Sequence, residues 1–170
     1  YSVLIFMGLL SIFKRKKEDP GVGTVPSNGV NALADGILFE EEGIFLKWGA
    51  DIEADKLYVK KEYRADRIIY QWGERVILNG LKLPLKTVCW NHKQHGDTKS
   101  LESIEFLSEE MDAEDQFKTI RDHLDAILGK SRQDEDMEPG EIALEWRIKA
   151  VKVALNLYNK ERPKIKFEIG

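Results

Sequence analysis

Asn79-Gly80 falls between two runs of β-branched and aromatic residues, Arg67 to Leu78 on one side and Leu81 to Trp90 on the other. Asn-Gly is among the strongest short hairpin signals, because a two-residue type I′ turn needs positive φ at both central positions. The dipeptide therefore predicts an antiparallel pair. Arg67 to Trp72 and Arg75 to Leu78 read as two strand segments before the turn, and Leu81 to Trp90 as the strand after it.

The same reading extends along the chain. Ile37-Leu38-Phe39 and Ile44-Phe45-Leu46 flank Glu40-Glu41-Glu42-Gly43, a length and glycine position that suit a hairpin. Leu101 to Leu107 is strand-like, with Ile104 and Phe106 on one face. In Val151 to Leu157 the odd positions are apolar, the alternation of a sheet with one wet face. Ile142 to Trp146, Ile148 to Tyr158 and Ile165 to Ile169 complete the strands.

The clearest helical spacing lies in one segment. From Asp112 to Leu128, Phe117, Ile120, Leu124, Ile127 and Leu128 form one stripe, and Gly129 ends it. Asp51 can also cap a short turn through Ile52, Leu57 and Val59. The expected fold is α+β: a mainly antiparallel sheet with one principal amphipathic helix packed on it. Arg67 to Trp72 followed by Arg75 to Leu78 resembles Glu141 to Trp146 followed by Ala150 to Val153. This similarity suggests two similar halves, a pattern that alternating strands of shared composition also produce.

At 170 residues and 42% hydrophobic, the chain suits one core. Tyr1 to Phe13 is apolar and is followed by Lys14-Arg15-Lys16-Lys17, the reverse of a secretory signal and too short to span a bilayer. Glu18 to Ala34 carries Pro20, Gly21, Gly23, Pro26 and Gly29, the composition of a flexible linker. The expected organisation is a leader and linker over 1–34 and a single domain over 35–170. No stable membrane insertion is expected.

The formal net charge of -4 argues against a nucleic-acid binder, which needs an excess of Lys and Arg on one face. Cys89 is the single cysteine, so nothing here requires an oxidising compartment and a cytoplasmic location is expected. No GxGxxG opens a helix, and no Lys with Ser or Thr follows Gly21-x-Gly23, so no nucleotide or other cofactor is expected.

The densest chemical cluster is Cys89-Trp90-Asn91-His92-Lys93-Gln94-His95-Gly96-Asp97. Cys89, His92 and His95 have zinc-ligand chemistry, and a Cys89-imidazole pair would activate a thiol. Read structurally, the same residues are a strand end running into a polar turn, with Cys89 as a small core residue and no second ligand pair to complete a site. The acidic residues Glu40, Glu41 and Glu42, and Asp134, Glu135, Asp136 and Glu138, are too solvated for a glycosidase pair. They are solvated faces first and candidate docking surfaces for a basic partner second. Of Trp48, Trp72, Trp90 and Trp146, most are expected to anchor the core; one or two exposed would be interface hot spots.

Gly36-Ile37-Leu38-Phe39 to Trp48-Gly49-Ala50-Asp51-Ile52, Asp66 to Gly73, the amphipathic helix and Glu145 to Val153 together resemble small bacterial immunity proteins, which neutralise polymorphic or type VI secreted toxins. The resemblance spans about Asp35 to Gly170 and carries over no individual functional residue. It implies a non-catalytic, acidic α+β protein that inhibits a cognate toxin by direct binding. Two other readings stand beside it: a metal-binding protein or enzyme centred on Cys89, His92 and His95, and an envelope-associated structural module.

Overall fold

Antiparallel pairing dominates the computed structural model of the chain, which describes residues 29–90, 99–108, 112–133, 140–158 and 164–170. A short helix α1 (Gly29–Ala32) precedes a hairpin of β1 (Gly36–Phe39) and β2 (Ile44–Lys47). Then come α2 (Ile52–Asp55), β3 (Lys60–Tyr63), β4 (Arg67–Ile77), β5 (Leu81–Trp90) and β6 (Ile104–Ser108). The principal helix α3 (Ala113–Leu128) is followed by β7 (Arg132–Gln133), β8 (Ile142–Ile148), β9 (Val151–Tyr158) and β10 (Lys164–Ile169). Among the described residues, no helix is long and apolar enough to cross a membrane.

β1 and β2 form a sheet of their own, and the other strands form one sheet in the order β3-β4-β5-β6-β10-β9-β8-β7. That order is unchanged when each strand from β3 to β6 is exchanged with its counterpart from β7 to β10. Each half is a helix followed by four strands, α2 before the first and α3 before the second. Trp72 on β4 and Trp146 on β8 occupy corresponding strands. The second limb of the sequence similarity does not carry through, because Arg75 to Ile77 continues β4 whereas Val151 to Val153 begins β9.

The halves meet at β6 and β10, which pair over five positions, and a thin seam lies inside the first half. β5 and β6 share one register pair, Lys86 with Glu105, whereas β10 pairs along its length with both β6 and β9. A buried polar relay reinforces the seam: the Trp72 indole N–H donates to Thr87 Oγ1 at 2.9 Å, and the Thr87 hydroxyl donates to the Ser103 carbonyl at 2.8 Å. Burying these groups without partners would cost free energy, and the relay satisfies them.

The core lies on one face of the large sheet. Ile68, Tyr70 and Trp72 of β4, Leu81, Leu83 and Leu85 of β5, and Val151, Val153, Leu155 and Leu157 of β9 are buried at alternate positions. α3 closes this face with Phe117, Ile120 and Leu124. Each such side chain contributes about 1.5–3 kcal/mol on burial. Its first turn carries Glu114 and Asp115, charges favoured by the helix dipole, and Gly129 at φ 87° ends it. The Phe39 ring meets Trp72 edge-on at 5.7 Å, seating the β1-β2 hairpin on β4. Gly36 permits the close approach of β1 to β2, since a Cβ there would stand 2.1 Å from the Leu46 carbonyl oxygen.

Six local expectations differ from the structure. β6 begins at Ile104 and not at Leu101, and the chain turns at Lys149 and Ala150 between β8 and β9. Arg67 to Leu78 is one strand and its turn, not two strands: a bulge between Gln71 and Gly73 shifts the register, so the buried positions run Ile68, Tyr70, Trp72 and then Ile77. The Asn79-Gly80 turn is a three-residue loop, Leu78 to Gly80, closed by Ile77 and Leu81, with positive φ at all three positions. α2 stops at Asp55 because Lys56 turns left-handed at φ 49°, and the chain then enters β3, where a helix through Leu57 and Val59 was expected. Finally, the folded unit begins before Asp35. Leu33 is fully buried, and its carbonyl accepts the Trp48 indole N–H at 2.8 Å, so 29–34 belongs to the domain and not to a linker.

Candidate functional site

The acidic triplet is built into the fold at two of its three positions. The Glu40 carboxylate accepts the backbone N–H groups of Asn79 at 2.6 Å and Gly80 at 2.9 Å, so it clasps the β4-β5 turn. Successive N–H groups in a left-handed turn make a natural cradle for an anion. Glu42 pairs with Arg75 at 3.3 Å, whose guanidinium lies over the Phe39 ring at 5.5 Å. Glu41 is exposed. Asp134, Glu135, Asp136 and Glu138 lie outside the described residues, as do His92 and His95.

Cys89 sits half-buried near the end of β5, with its Sγ 3.9 Å from the Ser100 carbonyl. Burial pushes its thiol up to about 11, with the nearby Glu102 and Glu53 carboxylates adding to the effect. A nucleophilic cysteine needs the opposite environment. His123 is far away: its Nε2 is 2.7 Å from the Leu78 carbonyl, at the turn end of the hairpin. Leu81 to Cys89 spans most of β5, roughly 26 Å at the rise of an extended strand. Among the described residues, no three His, Cys, Asp or Glu side chains gather as a metal site requires.

Beside Cys89, Glu53 of α2 collects three donors that were not legible as a group in the sequence. Its carboxylate accepts from the Lys61 ammonium, from the Tyr70 hydroxyl at 2.7 Å and from the Lys99 ammonium at 3.0 Å. These bonds, the Lys61 contact foremost, hold the Glu53 carboxyl down to about 2. The Glu53 bond raises Lys61 above its ordinary range, and burial drives the Tyr70 phenol upward, helped by Glu53. A general acid or base works best near neutral pH. Glu53, Lys61 and Tyr70 are each pushed away from neutrality, and the arrangement binds α2, β3 and β4 together.

The remaining candidate is an exposed corner. Among the described residues, the exposed large hydrophobics are Val59, Tyr63 and Trp90, at 64%, 71% and 52% exposure. Tyr63 ends β3 opposite Ile68, and Trp90 ends β5 opposite Arg67. The two aromatics thus stand in neighbouring rows of the sheet, on alternate faces of one corner. The Arg67 guanidinium stacks on Trp90 at 4.7 Å, and the Lys61 ammonium lies 4.7 Å from the Tyr63 ring centre. Trp72 and Trp146 are buried, and Trp48 is partly buried with its indole N–H bonded, so Trp90 alone of the four presents its ring broadly to solvent. Trp146 donates to the Gly129 carbonyl at 2.9 Å and to Asp125 at 3.0 Å. The expectation that most tryptophans anchor the core is met.

Compared with protein-family models, with curated proteins and with solved structures, the chain matches none.

Proposed function

We propose that this chain is a non-catalytic binding protein of the immunity type, acting in the cytoplasm by covering a cognate toxin or effector. The observation that carries the reading is the corner of Trp90, Arg67 and Tyr63. Trp, Tyr and Arg are the residues enriched among interface hot spots, and a few such anchors supply most of the energy of association. Here Trp90 and Arg67 share one face of a sheet corner and Tyr63 stands at the same corner on the other face, all on paired strands, so little ordering entropy opposes their use.

The electrostatics of the site support binding over catalysis. Glu53, Tyr70 and Cys89 titrate far from neutral pH, and each is engaged with neighbours. Glu41 and the acidic residues Asp134, Glu135, Asp136 and Glu138 add negative charge, which raises the association rate with a basic surface more than the final affinity.

The test is capture from extracts of the source cells on immobilised protein, comparing the native chain with Trp90→Ala and Arg67→Ala. One stoichiometric partner retained by the native chain and lost from both variants supports the reading. Recovery of chaperones alone, or retention that ignores both substitutions, rejects it.

A further inference from the structure

β3 is the terminal strand on its side of the sheet and pairs with β4 alone. Ladder parity decides which of its backbone groups face outward. Arg64 donates its N–H to the Arg67 carbonyl at 2.8 Å, and the same register places Glu62 opposite Ile69 and Lys60 opposite Gln71. Hydrogen-bonded pairs alternate along an antiparallel ladder, so residues 60, 62 and 64 turn their N–H and C=O toward β4. Lys61 and Tyr63 therefore turn theirs away from the sheet. No strand among the described residues takes them up. Exposed edges of this kind are templates for another strand.

The charges beside this edge are unbalanced in one direction. On the open face Glu62 is shared by two cations, Lys60 at 2.7 Å and Arg64 at 3.0 Å, whose side chains are 62% and 59% exposed. On the core-side face Glu53 is shared by Lys61 and Lys99. Each of these two carboxylates is thus shared by two cations, in a chain whose net charge is -4. A second copy of the chain fits poorly. The register in which both outward residues of β3 pair on-strand, Lys61 with the copy's Tyr63 and the reverse, sets Glu62 directly against Glu62 of the copy. Like charges directly opposite are destabilising.

The geometry points to β3 as the docking edge for an extended acidic segment of a protein partner, added as a further strand. The partner's carboxylates stand opposite Lys60 and Arg64, on either side of a neutral residue opposite Glu62. Apolar residues between them lie opposite Lys61 and Tyr63, against the exposed Tyr63 ring. Main-chain hydrogen bonds to Lys61 and Tyr63 supply affinity, and the flanking cations supply selectivity. This inference rests on the partner-binding reading and specifies its chemistry.

The probe is an end-capped peptide, Thr-Glu-Val-Thr-Val-Glu-Thr, added in excess to the full chain, with amide hydrogen exchange followed residue by residue. The expected result is slowing of the Lys61 and Tyr63 amides by about tenfold or more, with the Lys60 and Glu62 amides unchanged. The same peptide with Lys in place of Glu leaves all four unchanged. Tyr63→Pro removes an outward N–H, which an edge strand tolerates, and abolishes the peptide's effect on Lys61 while the thermal midpoint holds. No slowing with the acidic peptide, or equal slowing with the basic one, overturns the proposal. So does slowing that appears without peptide as protein concentration rises, which would make a second copy the occupant. Failure here leaves partner capture through Trp90 untouched. Slowing by the peptide without any captured partner keeps the edge site and removes the inhibitor reading.

Discussion

Glu40 and Asn79 are joined across 39 residues of sequence by a hydrogen bond of 2.6 Å from the Asn79 backbone N–H to the Glu40 carboxylate. The hairpin β1-β2 therefore holds the turn of the hairpin β4-β5, and an acidic residue that reads as surface charge is a structural clasp. Glu40→Ala is expected to destabilise the fold by about 1–2 kcal/mol, because two turn N–H groups lose a charged acceptor. Glu40→Gln keeps one acceptor oxygen and is expected to lose roughly half as much. Thermal midpoints check this, at about 2–4 °C per kcal/mol for a chain of this size.

Gly36→Ala is expected to cost about 1–3 kcal/mol, since the added Cβ would collide with the Leu46 carbonyl oxygen and the hairpin must open. Urea denaturation should show a lower midpoint with an unchanged slope, the mark of lost stability without a changed mechanism of unfolding.

The Glu53 carboxyl is held down to about 2, whereas an unfolded glutamate titrates near about 4.3. A depressed folded-state value means that the contribution to stability is present above the unfolded value and is lost as pH falls through that window. The native chain is expected to lose more thermal stability between about pH 5 and pH 2 than Glu53→Gln, which has no carboxyl to protonate there. Parallel curves for the two proteins would contradict the role given to the Lys61, Tyr70 and Lys99 contacts.

Burial raises the Cys89 thiol to about 11, so at pH 8 roughly one molecule in a thousand carries the thiolate. Thiol labelling of the native chain should run on the order of a hundredfold slower than that of free cysteine, and reach the free rate in denaturant. Labelling faster than free cysteine would revive an activated nucleophile at this position. Protection of Cys89 by equimolar zinc, lost in His92→Ala, would instead revive the metal reading.

What the sequence revealed of the fold followed locality. Alternation in Val151 to Leu157 and the stripe of Phe117, Ile120 and Leu124 are periodic signals within one element, and both lie buried as their spacing requires. The Asp51 cap is equally local, its carboxylate accepting the Glu53 N–H at 2.9 Å. Other features hid for physical reasons. The bulge at Gln71 to Gly73 flips the parity of β4, which makes one strand look like two. β3, reading Lys60-Lys61-Glu62-Tyr63, has too few apolar residues for a strand pattern and is defined by its pairing with β4. Leu33 is one apolar residue after a run of glycines and prolines, and its burial depends on the distant Trp48.

The candidate site was legible only in part. Trp90 could be named as one of four tryptophans, but its exposure follows from its place at the end of β5, at the corner of the sheet. Arg67 and Tyr63 join it through the register of β3, β4 and β5, which no local pattern encodes. The Glu53 cluster likewise draws Lys61, Tyr70 and Lys99 from separate elements, up to 46 residues apart.

The most direct measurement of the central claim is the affinity of the native chain and of Trp90→Ala for the captured partner, with thermal midpoints measured alongside. Because the Trp90 ring is largely exposed, its removal should change stability by no more than about 0.5 kcal/mol. Affinity should fall by about thirtyfold or more, as for a hot-spot residue. Unchanged affinity in a stably folded Trp90→Ala would contradict the account.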